Sequence, residues 1–143
     1  MARESREVSN MDWRECIKER IIKEIKEDQN LIKSTIKIAE AKIESANILP
    51  EAYHISKICL FYDALRGFLE AISLKKGYKV YNHECYTSFI KEILNLSREA
   101  DIFDRLRKIR NGINYYGQSV TDEEAKETIK NLLYLIKRFK ELT

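Results

Sequence analysis

This sequence predicts an all-α fold, a bundle of five or six helices, on three observations. Only one proline and four glycines punctuate the 143 residues, which leaves few turns and suits a handful of long helices rather than a sheet. Apolar residues recur every three or four positions along most of the chain, the spacing of one helix face. Start and stop signals fall between the periodic stretches: Pro50, Gly77, Gly117, and the capping pair Thr121 and Glu124.

The elements follow in order. Residues 1–9 are polar and aperiodic and read as a disordered tail ahead of a single domain over 10–143. Asn10 is placed to cap a first helix in which Trp13, Ile17, Ile21 and Ile25 recur every fourth residue. Ile32, Ile36, Ala39, Ile43 and Ala46 carry that stripe on almost in phase, so Asp28-Gln29-Asn30 is either a break or a polar turn of one long helix. Pro50 closes the segment, because the residue before a proline is pushed out of helical geometry. The next helix, Glu51 to about Lys76, is apolar over a broad arc that includes Ile58, Phe61, Tyr62, Leu65, Phe68, Leu69 and Ile72, and it reads as central. Ala64, Gly67 and Ala71 form a separate stripe of small residues, which lets a neighbouring backbone come close. The remaining sector carries Asp63, Arg66 and Glu70, read either as the lining of a polar cleft or as an ion-pair ladder with no other purpose.

Gly77 ends that helix, and a short link over 78–82 leads to a helix from about His83 to Ser97. Another runs from Arg98 or Glu99 to Tyr116. The last begins at the Thr121 cap and buries Ala125, Ile129, Leu132, Leu133, Ile136 and Phe139.

Composition narrows the function. The net charge of +3, from 26 basic and 23 acidic residues, is too balanced to indicate nucleic-acid binding, so any basic footprint must be local. The abundance of isoleucine, lysine and glutamate fits a heat-adapted source. No apolar run approaches the ~20 residues needed to cross a bilayer, and the N-terminus lacks a secretory pattern; a cytoplasmic location with no membrane partner is expected. Cys16, Cys59 and Cys85 are far apart with no Cys-x-x-Cys pair, so neither a zinc site nor a disulfide framework is indicated. Cys16 and Cys59 read as buried thiols. His54 and His83 stand alone, and no phosphate-cradling glycine loop exists, so no metal or cofactor is expected.

The most informative stretch is Arg107-Lys108-Ile109-Arg110-Asn111-Gly112-Ile113-Asn114-Tyr115-Tyr116-Gly117. Helical spacing puts Arg107, Arg110 and Asn114 in one narrow stripe, with Asn111 and Tyr115 on its shoulder. Ile102, Leu106, Ile109, Ile113 and Tyr116 occupy the opposite stripe, which assigns Tyr116 to the core and leaves the arginine face free of packing. Guanidinium groups beside carboxamides suit a phosphate-bearing ligand, with Arg107, Arg110 and Asn114 as phosphate or RNA contacts and Tyr115 placed to stack on a base. The alternative for this face is plain solvation.

The order of these segments resembles the HEPN domain family, particularly its small stand-alone archaeal and bacterial members. The resemblance is carried by the tyrosine-rich helix from Tyr53 to Ala71, the Gly-Tyr-Lys-Val link to Asn82-His83-Glu84, and the helix ending Ile109-Arg110-Asn111-Gly112-Ile113-Asn114-Tyr115-Tyr116-Gly117. It covers roughly Leu31 to Leu142. It implies an up-and-down bundle paired as a two-fold homodimer, with an arginine, four to six residues and then a histidine at the dimer cleft. In the family that motif supports metal-independent RNA cleavage by the ribose 2′-hydroxyl, arginine stabilising charge and histidine moving the proton.

Arg110 and Asn111 match the start of the motif, but Tyr115, Tyr116 and Gly117 stand where its histidine belongs. Tyr115 fills the commonest spacing, and a phenol, near pKa 10, is a poor proton shuttle at neutral pH. The resemblance makes His83 a structural residue before the fourth helix. It also implies a small nucleotidyltransferase partner of the kind found in toxin–antitoxin pairs, with Tyr115 and Tyr116 as candidate modification sites. Three readings follow: a dimer that keeps an RNA- or nucleotide-binding cleft with cleavage weak or lost; an active endoribonuclease using Arg110, Asn111 and Tyr115; and a helical interaction module for the nucleotidyltransferase.

Overall fold

The structure, a computed structural model, describes residues 11–143. The tail expected over 1–9 and the cap expected at Asn10 lie outside them. The described residues form an all-α bundle with one small two-stranded sheet. In chain order the elements are α1 (Trp13–Lys18), β1 (Ile22–Glu24), α2 (Gln29–Ile48), a 3-10 turn (Glu51–Tyr53), α3 (His54–Lys75), β2 (Tyr78–Val80), α4 (Glu84–Ser88), a π turn (Phe89–Ile93), α5 (Ser97–Tyr116) and α6 (Asp122–Lys140).

Helix α3 is the centre, as its broad apolar arc predicts. Phe61, Tyr62, Leu65, Phe68 and Leu69 are buried, and α2 and α6 both pack along the helix. The small-residue stripe admits α2 closely: a methyl group added at Gly67 would stand 3.0 Å from Cβ of Ala39. The last helix keeps its expected cap, with Thr121 and Glu124 satisfying each other's backbone N–H groups. Its buried face is centred on Leu132, Leu135, Ile136 and Phe139. Leu133, expected inside, is turned outward.

Three expectations are corrected. The first helix does not run from Asn10 through Ile25. Asp12 caps a short helix that ends at Lys18, Arg20 takes a left-handed φ of 61°, and Ile22–Glu24 becomes a strand. The strand is antiparallel to Tyr78–Val80, in the register Ile22 with Val80 and Glu24 with Tyr78. A four-residue recurrence of apolar residues cannot see that pairing, because the partner lies more than fifty residues away. The same break settles 10–48 as separate helices, with Asp28 capping α2.

Second, Cys16 and Cys85 are joined by a disulfide, with Cα atoms 6.1 Å apart and both residues fully buried. The strand pairing and the packing of Trp13 between Tyr78 and Phe89 bring α1 against α4. That proximity is tertiary, so spacing in the sequence carried no sign of it. Cys59 remains a free, partly exposed thiol.

Third, the helix expected from His83 to Ser97 is three pieces: α4, the π turn, and a reversal at Asn95 with φ 58°. Among the described residues no helix is long and apolar enough to cross a membrane.

Candidate functional site

The two polar sectors singled out in the sequence face one another. Helix α5 packs Arg107 and Arg110 against its neighbours rather than leaving them in solvent, which corrects the reading of that face as free of packing, while Asn114 stays exposed at the edge of α3. Arg107 is 5% exposed, while Tyr116, expected in the core, is 71% exposed. The buried residues of α5 are Glu99, Ala100, Ile102, Phe103, Leu106, Arg107 and Gly112, so Ile102 and Leu106 lie inside as expected and the buried face extends around the helix to Arg107. An arginine can occupy that face because its charge is answered from within the same helix. Nη2 of Arg107 lies 2.9 Å from Asp104, which also accepts hydrogen bonds from Thr87 and from Lys108. These donors outweigh burial and hold the Asp104 carboxyl below its usual range.

Arg110, one turn further on, bridges the helices. Its Nη2 is 3.5 Å from Asp63 on α3, its guanidinium carbon stands 5.4 Å from the Tyr62 ring centre and 6.0 Å from that of Tyr115, and Nη1 makes a long hydrogen bond of 3.5 Å to the Tyr115 hydroxyl. Asn114 accepts a hydrogen bond from the Cys59 thiol at 3.5 Å, which confirms its direction toward α3. Burial pushes the Cys59 thiol up, against the pull of Arg110. Asn111 is half-buried, and among the described residues its carboxamide makes no hydrogen bond.

On α3, Asp63 holds Arg110 and Glu70 holds Lys79 from β2 at 2.8 Å. Arg66 lies between them with no carboxylate partner among the described residues, and its buried Nε finds no acceptor. The Nε of Arg110 is likewise buried without an acceptor. Two guanidinium N–H groups out of water with nothing to bond are unusual, because each costs about 1–3 kcal/mol. Beside Arg66 a cavity of about 100 Å³ is bordered by Thr35, Ala39, Lys42, Asp63 and Glu70.

The structure adds His83, which the resemblance made structural. The β1–β2 pairing folds the 77–82 link back so that α4 starts against α3, and His83 Nδ1 comes 3.4 Å from the Tyr62 hydroxyl. Burial first, and then the charges of Arg66, Arg110 and Arg107, lower its pKa to about 4, with Glu70 opposing. His83 is therefore a neutral imidazole at neutral pH, inside the field of three arginines. The Tyr62 and Tyr86 phenols beside it are pushed up, chiefly by burial. Nothing in the spacing of the sequence could place His83 here, since a pairing of two three-residue strands does it.

A wider groove lies elsewhere. It is a cavity of about 690 Å³ between the start of α3 and α6, lined by His54, Asp122, Ile129 and Leu133 among others, and it contains none of the arginines. Among the described residues no group of three His, Cys, Asp or Glu side chains is arranged to hold a metal ion. The candidate site is thus an arginine cluster: Arg66, Arg107 and Arg110, with Tyr62, His83 and Tyr115 around them and Asp63 and Glu70 as internal counter-charges. No protein-family model, no curated protein and no solved structure matches this chain.

Proposed function

We propose that this chain is an HEPN-like protein that binds RNA or nucleotides through the arginine cluster between α3 and α5. It acts as a two-fold homodimer in the cytoplasm, within a toxin–antitoxin or defence-type system, with RNA cleavage weak or lost. One observation carries the proposal: Arg66 and Arg110 each keep a buried Nε–H without an acceptor. Phosphate oxygens would supply those acceptors, and guanidinium forks match them in geometry. The exposed Tyr115 ring, beside Arg110, offers a base a surface to stack on. A buried disulfide is compatible with a cytoplasmic protein if the source is heat-adapted.

The test is fluorescence anisotropy with a short single-stranded oligoribonucleotide in the presence of EDTA. Wild type should bind, more weakly as salt rises, and Arg66→Ala and Arg110→Ala should each reduce affinity about tenfold or more. No binding at moderate salt, or binding indifferent to both substitutions, overturns the proposal.

A second reading, an active metal-independent endoribonuclease, has one observation in its favour. His83 stands beside the arginines although the motif itself lacks a histidine. Gel analysis of the same samples decides between the two: cleavage lost in Arg110→Ala favours the second.

A further inference from the structure

We infer that a tetrahedral oxyanion, the phosphate of a nucleotide or a free sulfate, binds between Arg66 and Arg110 together with one proton, which His83 takes up. This deepens the proposed reading of the cluster and rests on its arginines. The geometry supplies the argument. The charged and titratable groups around His83 come from three helices and a strand. Helix α3 brings Tyr62, Arg66 and Glu70, and α5 brings Arg107 and Arg110; Tyr86 lies on α4, and Asp63 and Lys79 stand one step further out, paired with Arg110 and Glu70. The acids are largely committed: Asp63 to Arg110, Glu70 to Lys79, and Asp104 to Arg107 and Lys108. Glu84, next to His83 in the chain, leaves one buried carboxylate oxygen without a partner. The guanidinium groups therefore act on the ring without full compensation and add to burial, the larger cause, in keeping the imidazole neutral.

An anion shifts that balance. Its charge offsets the field of Arg66 and Arg110 at the ring, so the part of the lowering that they cause is removed, burial remains, and the pKa of the ring rises. The Tyr62 hydroxyl can donate to Nδ1 of the neutral ring and accept from Nδ1–H of the charged one, so this contact survives protonation. With Tyr62 donating to Nδ1, the neutral ring already carries its hydrogen on Nε2, so the proton taken up enters at Nδ1. No bond other than that to the proton forms or breaks.

Linkage fixes the pH dependence. His83 has its lower pKa in the free protein, about 4, and a higher one in the complex. Affinity therefore rises as pH falls through the higher value and levels off below the lower one, with a slope of at most about tenfold per pH unit.

The experiment is isothermal titration calorimetry at pH 5.5 in two buffers of different ionisation enthalpy. The probes are sulfate and a short oligoribonucleotide, neither of which titrates there. The expected result is uptake of a measurable fraction of a proton per anion, retained in His54→Asn and lost in His83→Gln. In His54→Asn, which leaves one histidine, the imidazole Cε1–H resonance should move toward its protonated position when sulfate is added at constant pH; this readout needs no substitution at His83. Zero uptake with an unmoved resonance overturns the inference. Proton uptake with sulfate but no binding of the oligonucleotide supports the inference and removes the RNA reading. Oligonucleotide binding without proton uptake does the reverse.

Discussion

Arg110 of α5 and Asp63 of α3 form an ion pair across the helix seam, with Nη2 3.5 Å from Oδ1. Both are partly exposed, so the pair adds little stability, about 0–1 kcal/mol. Its larger effect is on ligands: the carboxylate competes with any anion for the guanidinium. Asp63→Asn should therefore tighten sulfate and oligoribonucleotide binding severalfold while shifting the denaturation midpoint little. Calorimetric titration beside a urea melt checks both, and weaker binding in the variant would mean that Asp63 orients Arg110 for the ligand rather than blocking it.

The half-buried His83 makes stability depend on acid. Its pKa is lowered to about 4 in the folded chain from an ordinary 6.5, with burial as the main cause. Between those values the unfolded chain binds the proton and the folded one does not, so stability is full above about pH 6.5 and falls as pH drops toward 4. The loss is about 2 kcal/mol after allowance for solvent screening at a half-buried ring. Urea melts at pH 7.5 and 4.5 should show this component for wild type, and His83→Gln should lack it. Sulfate at pH 4.5 should restore part of it to wild type.

The disulfide between Cys16 and Cys85 spans 69 residues of sequence. On the chain-entropy account, closing a loop of that length stabilises the fold by about 4 kcal/mol. Cys16→Ser/Cys85→Ser should lower the unfolding free energy by about 2–4 kcal/mol, read from denaturant melts. Both sulfurs are fully buried, so dithiothreitol should reduce native protein only as fast as the region around α1 opens. Fast reduction under native conditions would show that α1 detaches readily.

Gly67 and Ala39 define how closely α2 approaches α3, with 3.0 Å between the Ala39 methyl and a Cβ placed at Gly67. A side chain there has nowhere to go but into the backbone of α2. Gly67→Leu should cost about 3 kcal/mol or more, beyond the usual 1–3 kcal/mol for overpacking, because two helix backbones must separate. Thermal melts give the number; a cost below about 1 kcal/mol would mean that α2 is loosely held.

The parts of this fold legible in the sequence are those fixed by local periodicity and caps. The centrality of α3, the Thr121 cap, the Pro50 stop and the close approach at Gly67 all rest on residues within one or two helical turns. The parts that were not legible depend on distant partners. The short strand at Ile22 needs Val80, the disulfide needs α1 laid against α4, and the position of His83 needs both. On α5 the stripe was read with Arg107 outward because an arginine counts as polar in any periodicity scheme. Asp104, three residues earlier, lets it lie inside. The candidate residues Asp63, Arg66, Glu70, Arg107, Arg110 and Tyr115 do come together. Asn111 makes no bond to any of them, and Asn114 is occupied by Cys59.

The cross-link also divides the chain unequally. It ties residues 16–85 into a covalent ring that contains α2 and α3, whereas α5 and α6 belong to an open tail. Arg66 thus sits on the ring, Arg107 and Arg110 on the tail, and the boundary between the two topological halves runs through the cluster. Thermal loosening that peels the tail away would spread the guanidinium groups apart while the ring stays closed. Ligand grip and backbone fraying are thereby joined at one mechanical seam.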